Sequence, residues 1–239
     1  MAEGARVRAS TVVIGLVRPD LLGTYGDGGN AVVLRERLRR RGMDATIREI
    51  GRTDPATSAD LYVLGGGEDS AEVALAADEG VAAALRVAAA AGTPIFGVCA
   101  GFQVLGETFA DAGGNVRPGL GLLDVRTSRR LAARAVGEVA ATPTIAGLGV
   151  LTGFENHGGA TDRGPGAAPL ATVTHGVGNG DGTDGAVQGR IVATYLHGPV
   201  LARNPDLADL LLGWVVGDLP PLDMPEVERL RRERLAASR

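Results

Sequence analysis

The only cysteine of this chain lies between a strand pattern and a helix pattern, and this feature restricts the possible folds more than any other. Residues 94–98 form a short apolar run that predicts an interior strand, and apolar residues then recur at helical spacing as far as Phe109. The turn between the two patterns reads Gly97-x-Cys99-x-Gly101. Small neighbours are needed at such a turn because the backbone passes close on both sides. The pattern therefore predicts an α/β protein that holds Cys99 at a sharp strand-to-helix turn.

A cysteine at this position has the surroundings of a nucleophile. A helix that starts at the sulfur directs its first amide groups and its positive dipole end toward it, which favours the thiolate and lowers the thiol pKa from about 8.5. The backbone N–H of Ala100 would also be placed to bind an oxyanion. A lone cysteine is otherwise most often a small buried apolar residue. The glycine-flanked turn favours the catalytic interpretation.

The order of predicted elements in the first half indicates a mostly parallel central sheet with flanking helices. Strands alternate with helices there, as in folds whose parallel strands are joined by helical crossovers. The predicted strands are 11–17, 44–50, 60–64 and 94–98, and the predicted helices are 31–41, about 71–91 and the one after Cys99.

Short strands separated by glycine and proline predict an antiparallel insert in the second half of the chain. They are 135–140, 142–145, 150–153 and 169–174. A strong strand at 190–196, a helix at 205–216 and a charged helix from Pro225 follow them. We expect a single domain over 1–239, with about 220–239 as a C-terminal helical tail.

Three sequence features are predicted to meet at one edge of the sheet. The carboxyl ends of parallel strands share an edge, where such folds place their ligands. Cys99, the Gly65–Gly67 turn and His197 all follow predicted strands directly. We interpret the three consecutive glycines as a close backbone approach to a ligand. A histidine here can take the thiol proton and return it to a departing amine, and His197 is preferred over His157 and His175.

Composition excludes several classes of site. All 24 basic residues are arginine, so the chain lacks the lysine of a Walker A motif, a Schiff base or a kinase site. If the reaction needs ATP, we expect another polypeptide to bind it. The net charge of −4 is spread along the chain, which does not indicate nucleic-acid binding. With one cysteine, no signal-peptide pattern and no long apolar stretch, the sequence predicts a cytoplasmic protein.

The segment Gly26-x-Gly28-x-x-Ala31 formally matches a dinucleotide-binding fingerprint. About eight residues separate it from the preceding strand, whereas that fingerprint follows its strand directly. We therefore do not assign a cofactor site to it.

Three motifs in this order resemble those of class I glutamine amidotransferases of the cobyric acid synthase-like type. They are Gly-Gly-Gly at 65–67, Gly-Val-Cys-Ala-Gly-Phe-Gln-Val-Leu-Gly at 97–106 and Thr-Tyr-Leu-His-Gly-Pro at 194–199. Within that class, segments 153–159, 176–180 and 195–200 resemble the GatD-type glutaminase subunits of lipid II isoglutaminyl synthase. The resemblance spans nearly the whole chain and implies a flavodoxin-like α/β fold.

The resemblance also implies a reaction. Cys99 would attack the side-chain amide of glutamine, release ammonia and form a glutamyl thioester, which water hydrolyses with the help of His197. Backbone amides near Gly66 and Ala100 would hold the oxyanion, and Gln103 would line the same pocket.

Two residues of the implied site are less clearly placed by the motifs. In the family an arginine after the helix that follows the cysteine binds the substrate glutamine, and Arg130 is the best match, with Arg126 and Arg129 as neighbours. Many class I enzymes carry His-x-Glu, whereas Pro199 occupies the position of that glutamate here. The sequence leaves open a Cys-His dyad or an acidic third member from elsewhere, such as Glu155.

Finally, the resemblance implies a partner subunit. Ammonia would pass to a Mur ligase-like (MurT-type) subunit that binds ATP and Mg²⁺ and amidates D-glutamate of the lipid II stem peptide. The two chains would form a heterodimer in peptidoglycan synthesis, and this chain would hold no cofactor or metal. Two alternatives stay open: a cobyric acid synthase-like amidotransferase acting on another acceptor, and a non-catalytic ligand-binding module of the same fold.

Overall fold

The computed structural model describes residues 11–51 and 58–237. The strands are β1 Val12–Val17, β2 Ala45–Ile50, β3 Leu61–Leu64, β4 Ile95–Val98, β5 Thr108–Ala110, β6 Val116–Pro118, β7 Val125–Arg129, β8 Ala135–Pro143, β9 Leu151–His157, β10 Gly159–Arg163, β11 Ala171–His175, β12 Thr183–Asp184, β13 Ala186–Gln188 and β14 Ile191–Thr194. The helices are α1 Gly29–Arg39, α2 Asp69–Ala76, α3 Glu79–Ala90, α4 Ala100–Leu105, α5 Val200–Arg203, α6 Pro205–Val216 and α7 Pro225–Ala237.

A six-stranded sheet with the order β13-β14-β4-β3-β1-β2 forms the centre of the fold. Its neighbouring strands are parallel, except for the antiparallel pair β13 and β14. Strands β3, β4 and β14 are buried along their whole lengths, which explains why they consist almost entirely of apolar residues. The predicted α/β class with a mostly parallel sheet is confirmed.

The helix predicted over 71–91 is interrupted, so that α2 and α3 are separate helices. Asp78 lies at the break and caps α3, because its carboxylate accepts the N–H of Val81 at 3.3 Å. The same carboxylate forms an ion pair of 2.6 Å with the buried Arg18, in the loop after β1.

The helix after Cys99 is shorter than predicted. It ends at Leu105, and Phe109 is a fully buried residue of strand β5 instead of a helical residue. The helix stops because Gly106 is extended and lies against β7, where a side chain would come within 2.8 Å of the Val125 carbonyl oxygen.

Two smaller sheets hold the other strands, in the orders β10-β7-β5-β6 and β12-β11-β8-β9. Their pairings are antiparallel apart from the short contact between β5 and β7, which confirms the antiparallel insert. The strand predicted at 135–140 and the first two residues of the strand predicted at 142–145 form one strand, β8, which ends at Pro143.

The helices predicted at 205–216 and from Pro225 are confirmed as α6 and α7, and residues 238–239 of the predicted tail lie outside the described residues. Among the residues described above, no helix has both the length and the apolar character needed to cross a membrane.

Candidate active site

The predicted strand ends lie side by side. Strands β14, β4 and β3 are consecutive in the central sheet, so the residues that follow them share one edge. The Cys99 N–H donates to the Thr194 carbonyl at 2.9 Å, and the Gly101 N–H donates to the Gly65 carbonyl at 3.1 Å. These bonds fix the Cys99 turn between the ends of β14 and β3.

Cys99 has a backbone conformation that is costly for a non-glycine residue. Its φ is 50° and its ψ is −104°, and across 11–51 and 58–237 only Arg18 shares a positive φ among non-glycine residues. Such conformations cost about 1–3 kcal/mol and persist where the surrounding structure enforces them. The predicted need for glycine is also met, since a side chain on Gly101 would lie 2.7 Å from Leu64 Cβ.

His197 is oriented by a carboxylate that the sequence prediction missed. Its Nδ1 lies 2.8 Å from Oδ2 of Asp27, and both residues are buried. Because Asp27 accepts at Nδ1, the neutral ring carries its proton there and leaves a lone pair on Nε2. Within the described residues, Nε2 has no hydrogen-bond partner, so it is free to accept a proton. The ring of Tyr25 packs on the imidazole, with 4.8 Å between centroids.

Among the described residues, Glu155, the acidic residue named from the sequence, forms no hydrogen bond or ion pair with His197. Its carboxylate accepts the amides of Val177 and Gly178 at 2.8 and 2.9 Å. Asp27 lies instead in the glycine-rich stretch that formally matches a dinucleotide fingerprint. The available signal was its place in the loop after β1, a strand that ends at the same sheet edge.

The three consecutive glycines make room for the protein itself. A side chain on Gly66 would lie 2.7 Å from His197 Cε1, and one on Gly65 would lie 2.2 Å from the Leu22 carbonyl oxygen. The protein itself therefore gives a reason for glycine at these two positions, and the approach to a ligand stays a prediction. The Gly66 amide donates to Asp27 at 2.9 Å, which differs from the predicted contact with an oxyanion.

The thiol of Cys99 is less acidic than predicted. Burial, followed by the carboxylates of Glu72 and Asp27, raises its pKa well above the ordinary range. The Ala100 amide and Arg134 oppose this rise but do not cancel it. The dipole of α4 does not prevent this rise, because the helix is only six residues long and Cys99 is 96 % buried with the carboxylates of Glu72 and Asp27 nearby. Before substrate binds, these surroundings favour the thiol over the thiolate.

A polar cleft opens beside Cys99. Gly67, Gln103, Thr127 and Gly159 contribute to its lining. Helix α2 contributes the carboxylates of Asp69 and Glu72, and the segment from the end of β7 to β8 contributes the guanidinium groups of Arg129 and Arg134. The cleft thus presents both signs of charge beside the sulfur.

Comparison with known proteins decides the family. A model of the CobB/CobQ-like glutamine amidotransferase domain matches residues 13–205, which include the Cys99 turn, Asp27 and His197. The chain belongs to this family. It is a class I glutamine amidotransferase domain of the kind that its motifs suggested.

Individual relatives of this amidotransferase agree. The chain is 36 % identical over 199 residues to the lipid II isoglutaminyl synthase subunit GatD of Staphylococcus aureus, covering 81 % of this chain and 79 % of that protein. It is 40 % identical over 185 residues to a cobyric acid synthase of Pelotomaculum thermopropionicum, covering 71 % of this chain but 35 % of that protein. A crystal structure of a glutamine amidotransferase shares the fold with a TM-score of 0.58 at 24 % identity, covering 84 % of this chain and 98 % of that one.

In this amidotransferase, the arginine predicted to bind glutamine lies to one side of the cleft. Arg130 Nε is 3.4 Å from the Ala133 carbonyl, and Arg130 is not among the residues that line the cleft in the described structure. Arg126 forms an ion pair with Glu107 at 2.5 Å. Arg134 lines the cleft and is held by Asn156, whose side-chain oxygen accepts from its Nε at 2.5 Å.

The other two histidines of the amidotransferase are placed differently from His197. His157 lines the cleft and stacks on Tyr195 with 3.7 Å between ring centroids, but its nitrogens face the Gly159 carbonyl (3.1 Å) and Glu155 (3.4 Å). Burial opposes ionisation of Glu155, yet the hydrogen bonds from His157 and two amides leave its pKa lowered. His175 is exposed at the end of β11.

Proposed function

We propose that this glutamine amidotransferase is the glutaminase subunit of a lipid II isoglutaminyl synthase. The supporting observation is coverage: the match to GatD extends over about four-fifths of both chains, whereas the match to cobyric acid synthase occupies 35 % of that protein. In this proposal the chain acts as a glutaminase subunit, and the acceptor chemistry belongs to a partner.

The proposed reaction begins with attack of Cys99 Sγ on the side-chain amide carbon of glutamine. His197 Nε2 takes the thiol proton and delivers it to the departing ammonia, so that a glutamyl thioester remains. Water then hydrolyses the thioester, with His197 as base, and glutamate leaves. Since the pKa of the thiol is raised before substrate binds, the proton transfer accompanies the attack. Asp27 keeps the imidazole in the tautomer that this requires.

Other roles in this proposal follow from the cleft. The oxyanion would be held by the Ala100 amide and an amide of the Gly66–Gly67 turn, in which Gly67 faces the cleft. We assign the glutamine carboxylate to Arg134 instead of Arg130, because Arg134 lines the cleft. In the described part of the chain, its Nη1 makes no hydrogen bond. Gln103 extends from α4 into the same space.

The proposed partner is a Mur ligase-like (MurT-type) subunit that binds ATP and Mg²⁺ and uses the ammonia to amidate D-glutamate of the lipid II stem peptide. The absence of lysine from the whole sequence supports a nucleotide site on another chain. The heterodimer would act in the cytoplasm in peptidoglycan synthesis, and so in cell-wall biogenesis and cell shape. The 40 % identity to a cobyric acid synthase favours a second candidate, an amidotransferase for a corrinoid acceptor.

The test measures ammonia release from L-glutamine by the purified chain, alone and co-expressed with a Mur ligase-like partner, beside Cys99→Ala. We expect release that the variant loses, and ATP-dependent amidation of lipid II when the partner is present. Release with amidation of a corrinoid but not of lipid II would establish the second candidate. No release from wild type with the partner present would make the chain a non-catalytic module.

A further inference from the structure

Glu72 is a buried carboxylate in the cleft, and it has no role in the reaction described above. It lies in the first turn of α2, directly after the glycine turn, and is 96 % buried. It lines the cleft together with Cys99 and is close enough to raise the pKa of that thiol. A buried acid facing the nucleophile would hinder ionisation of the sulfur, so its presence needs a compensating role.

Within the described residues, Glu72 forms no ion pair. The side-chain amide of Gln103 lies against it. We assign the amide orientation that satisfies both neighbours, in which the NH₂ donates to the two carboxylate oxygens at 2.9 and 3.0 Å and the oxygen accepts from Tyr195 at 3.2 Å. Burial, and then Asp69 and Glu68, raise the pKa of Glu72 to about 8. Arg134 opposes this rise without forming an ion pair with Glu72. A bound cation in contact with the carboxylate would relieve the remaining cost of burial.

The cleft also carries guanidinium groups on a separate element. Arg129 and Arg134 belong to the segment that joins β7 to β8, whereas Glu72 belongs to α2. A ligand that satisfies both must carry a cationic and an anionic group while its reactive carbon reaches Cys99. A free α-amino acid has this charge pattern, with its ammonium matching Glu72 and its carboxylate matching the arginines.

Building on the proposed glutaminase function, we propose that Glu72 binds the α-ammonium group of glutamine and selects the free amino acid over amides that lack it. In the assigned amide orientation, Gln103 positions the Glu72 carboxylate by donating to both its oxygens. Because its pKa is raised in the empty cleft, Glu72 releases its proton to solvent when the ammonium binds and supplies the missing counter-charge. Glu72 is thus a specificity residue that leaves the chemistry to Cys99 and His197.

The test compares L-glutamine with glutaramate, the same amide without the α-amino group, in wild type and Glu72→Gln. We expect wild type to prefer glutamine in kcat/KM by about 10- to 100-fold, the effect of a hydrogen bond between charged groups. In Glu72→Gln this preference should disappear, through a higher KM for glutamine with little change in kcat and with glutaramate turnover retained. Glu79→Gln, at an exposed carboxylate of α3, is the matched control and should behave as wild type.

If Glu72→Gln lost activity toward glutamine and glutaramate equally, Glu72 would have a structural role and the proposal would be overturned. An unchanged preference for glutamine would also overturn it. Calorimetric titration of glutamine and glutaramate into Cys99→Ala, with and without Glu72→Gln, measures the same selectivity without turnover. If wild type released no ammonia but Glu72 still determined this binding preference, the proposed function would fail and the role of Glu72 would stand. Equal binding of both ligands to Cys99→Ala would overturn that role.

Discussion

At the scale of single residues, the strained backbone of Cys99 gives an unusual stability prediction. Alanine is normally favoured over glycine, but at a φ of 50° glycine avoids the strain that alanine must bear. Cys99→Gly should therefore be more stable than Cys99→Ala by about 1 kcal/mol in urea unfolding, and both should lack activity.

The matched control is Ala100→Gly, one residue along, in α4. There the usual order applies, and glycine should lower the free energy of unfolding by about 0.5–1 kcal/mol. If Cys99→Gly were less stable than Cys99→Ala by a similar amount, position 99 would not be strained.

Asp27 gives the second prediction at this scale. Asp27→Asn preserves an acceptor for the Gly66 amide but removes the charge beside His197 Nδ1. We expect kcat for ammonia release to fall by about 10²- to 10⁴-fold with a nearly unchanged KM, because the imidazole loses its tautomeric preference and its counter-ion. If Glu155→Gln instead lost most of its kcat while Asp27→Asn kept normal activity, the acidic third member of the catalytic site would be Glu155 and not Asp27.

At the scale of secondary-structure elements, the break between α2 and α3 positions the acidic side of the cleft. Helix α2 follows the glycine turn directly and carries Glu72, and Asp78 ends the helical run by capping α3 and pairing with Arg18. A continuous helix over 71–91 would leave the buried Arg18 without that partner.

Asp78→Ala should lower the free energy of unfolding by about 2–4 kcal/mol, since it removes a helix cap and one partner of a buried guanidinium. Arg18 keeps its ion pair with Asp20, which limits the loss. Denaturant unfolding measures the effect. Asp78→Asn preserves the cap, so its free energy of unfolding should lie between those of wild type and Asp78→Ala. Equal stability of Asp78→Ala and wild type would show that neither contact stabilises the break.

At the scale of the whole molecule, two buried carboxyl groups affect stability through pH. Burial raises the pKa of Glu72 to about 8 and that of Asp184 to about 6, above their ordinary values of 4.5 and 3.8. The folded protein therefore retains protons that the unfolded chain releases. Their contribution to stability is complete below about pH 4 and is lost as pH rises toward 6 for Asp184 and 8 for Glu72.

We accordingly expect the substrate-free protein to lose stability between pH 5 and 8, by at most about 1.4 kcal/mol per pH unit for one proton. Glu72→Gln should flatten the part of this slope above pH 6. Thermal unfolding of wild type and Glu72→Gln between pH 5 and 8 measures this slope. An unfolding temperature that rises with pH equally in the two proteins would contradict the raised pKa of Glu72.

The sequence by itself determined the features that depend on neighbouring residues. The apolar run before Cys99, the glycines around it and the alternation of strands with helices predicted the sheet, its class and the turn that carries the cysteine. Because parallel strands end at a common edge, these local patterns also predicted that Cys99, the glycine turn and His197 would meet.

Only the tertiary structure decided which groups surround the sulfur. Asp27 and His197 are 170 residues apart in sequence, and no local period relates them. The same applies to Arg134, which lines the cleft where Arg130 was predicted, and to Glu72, which raises the pKa of the thiol. These contacts, and the burial that sets their charges, arise from packing between distant segments, and a one-dimensional pattern carries no record of that packing.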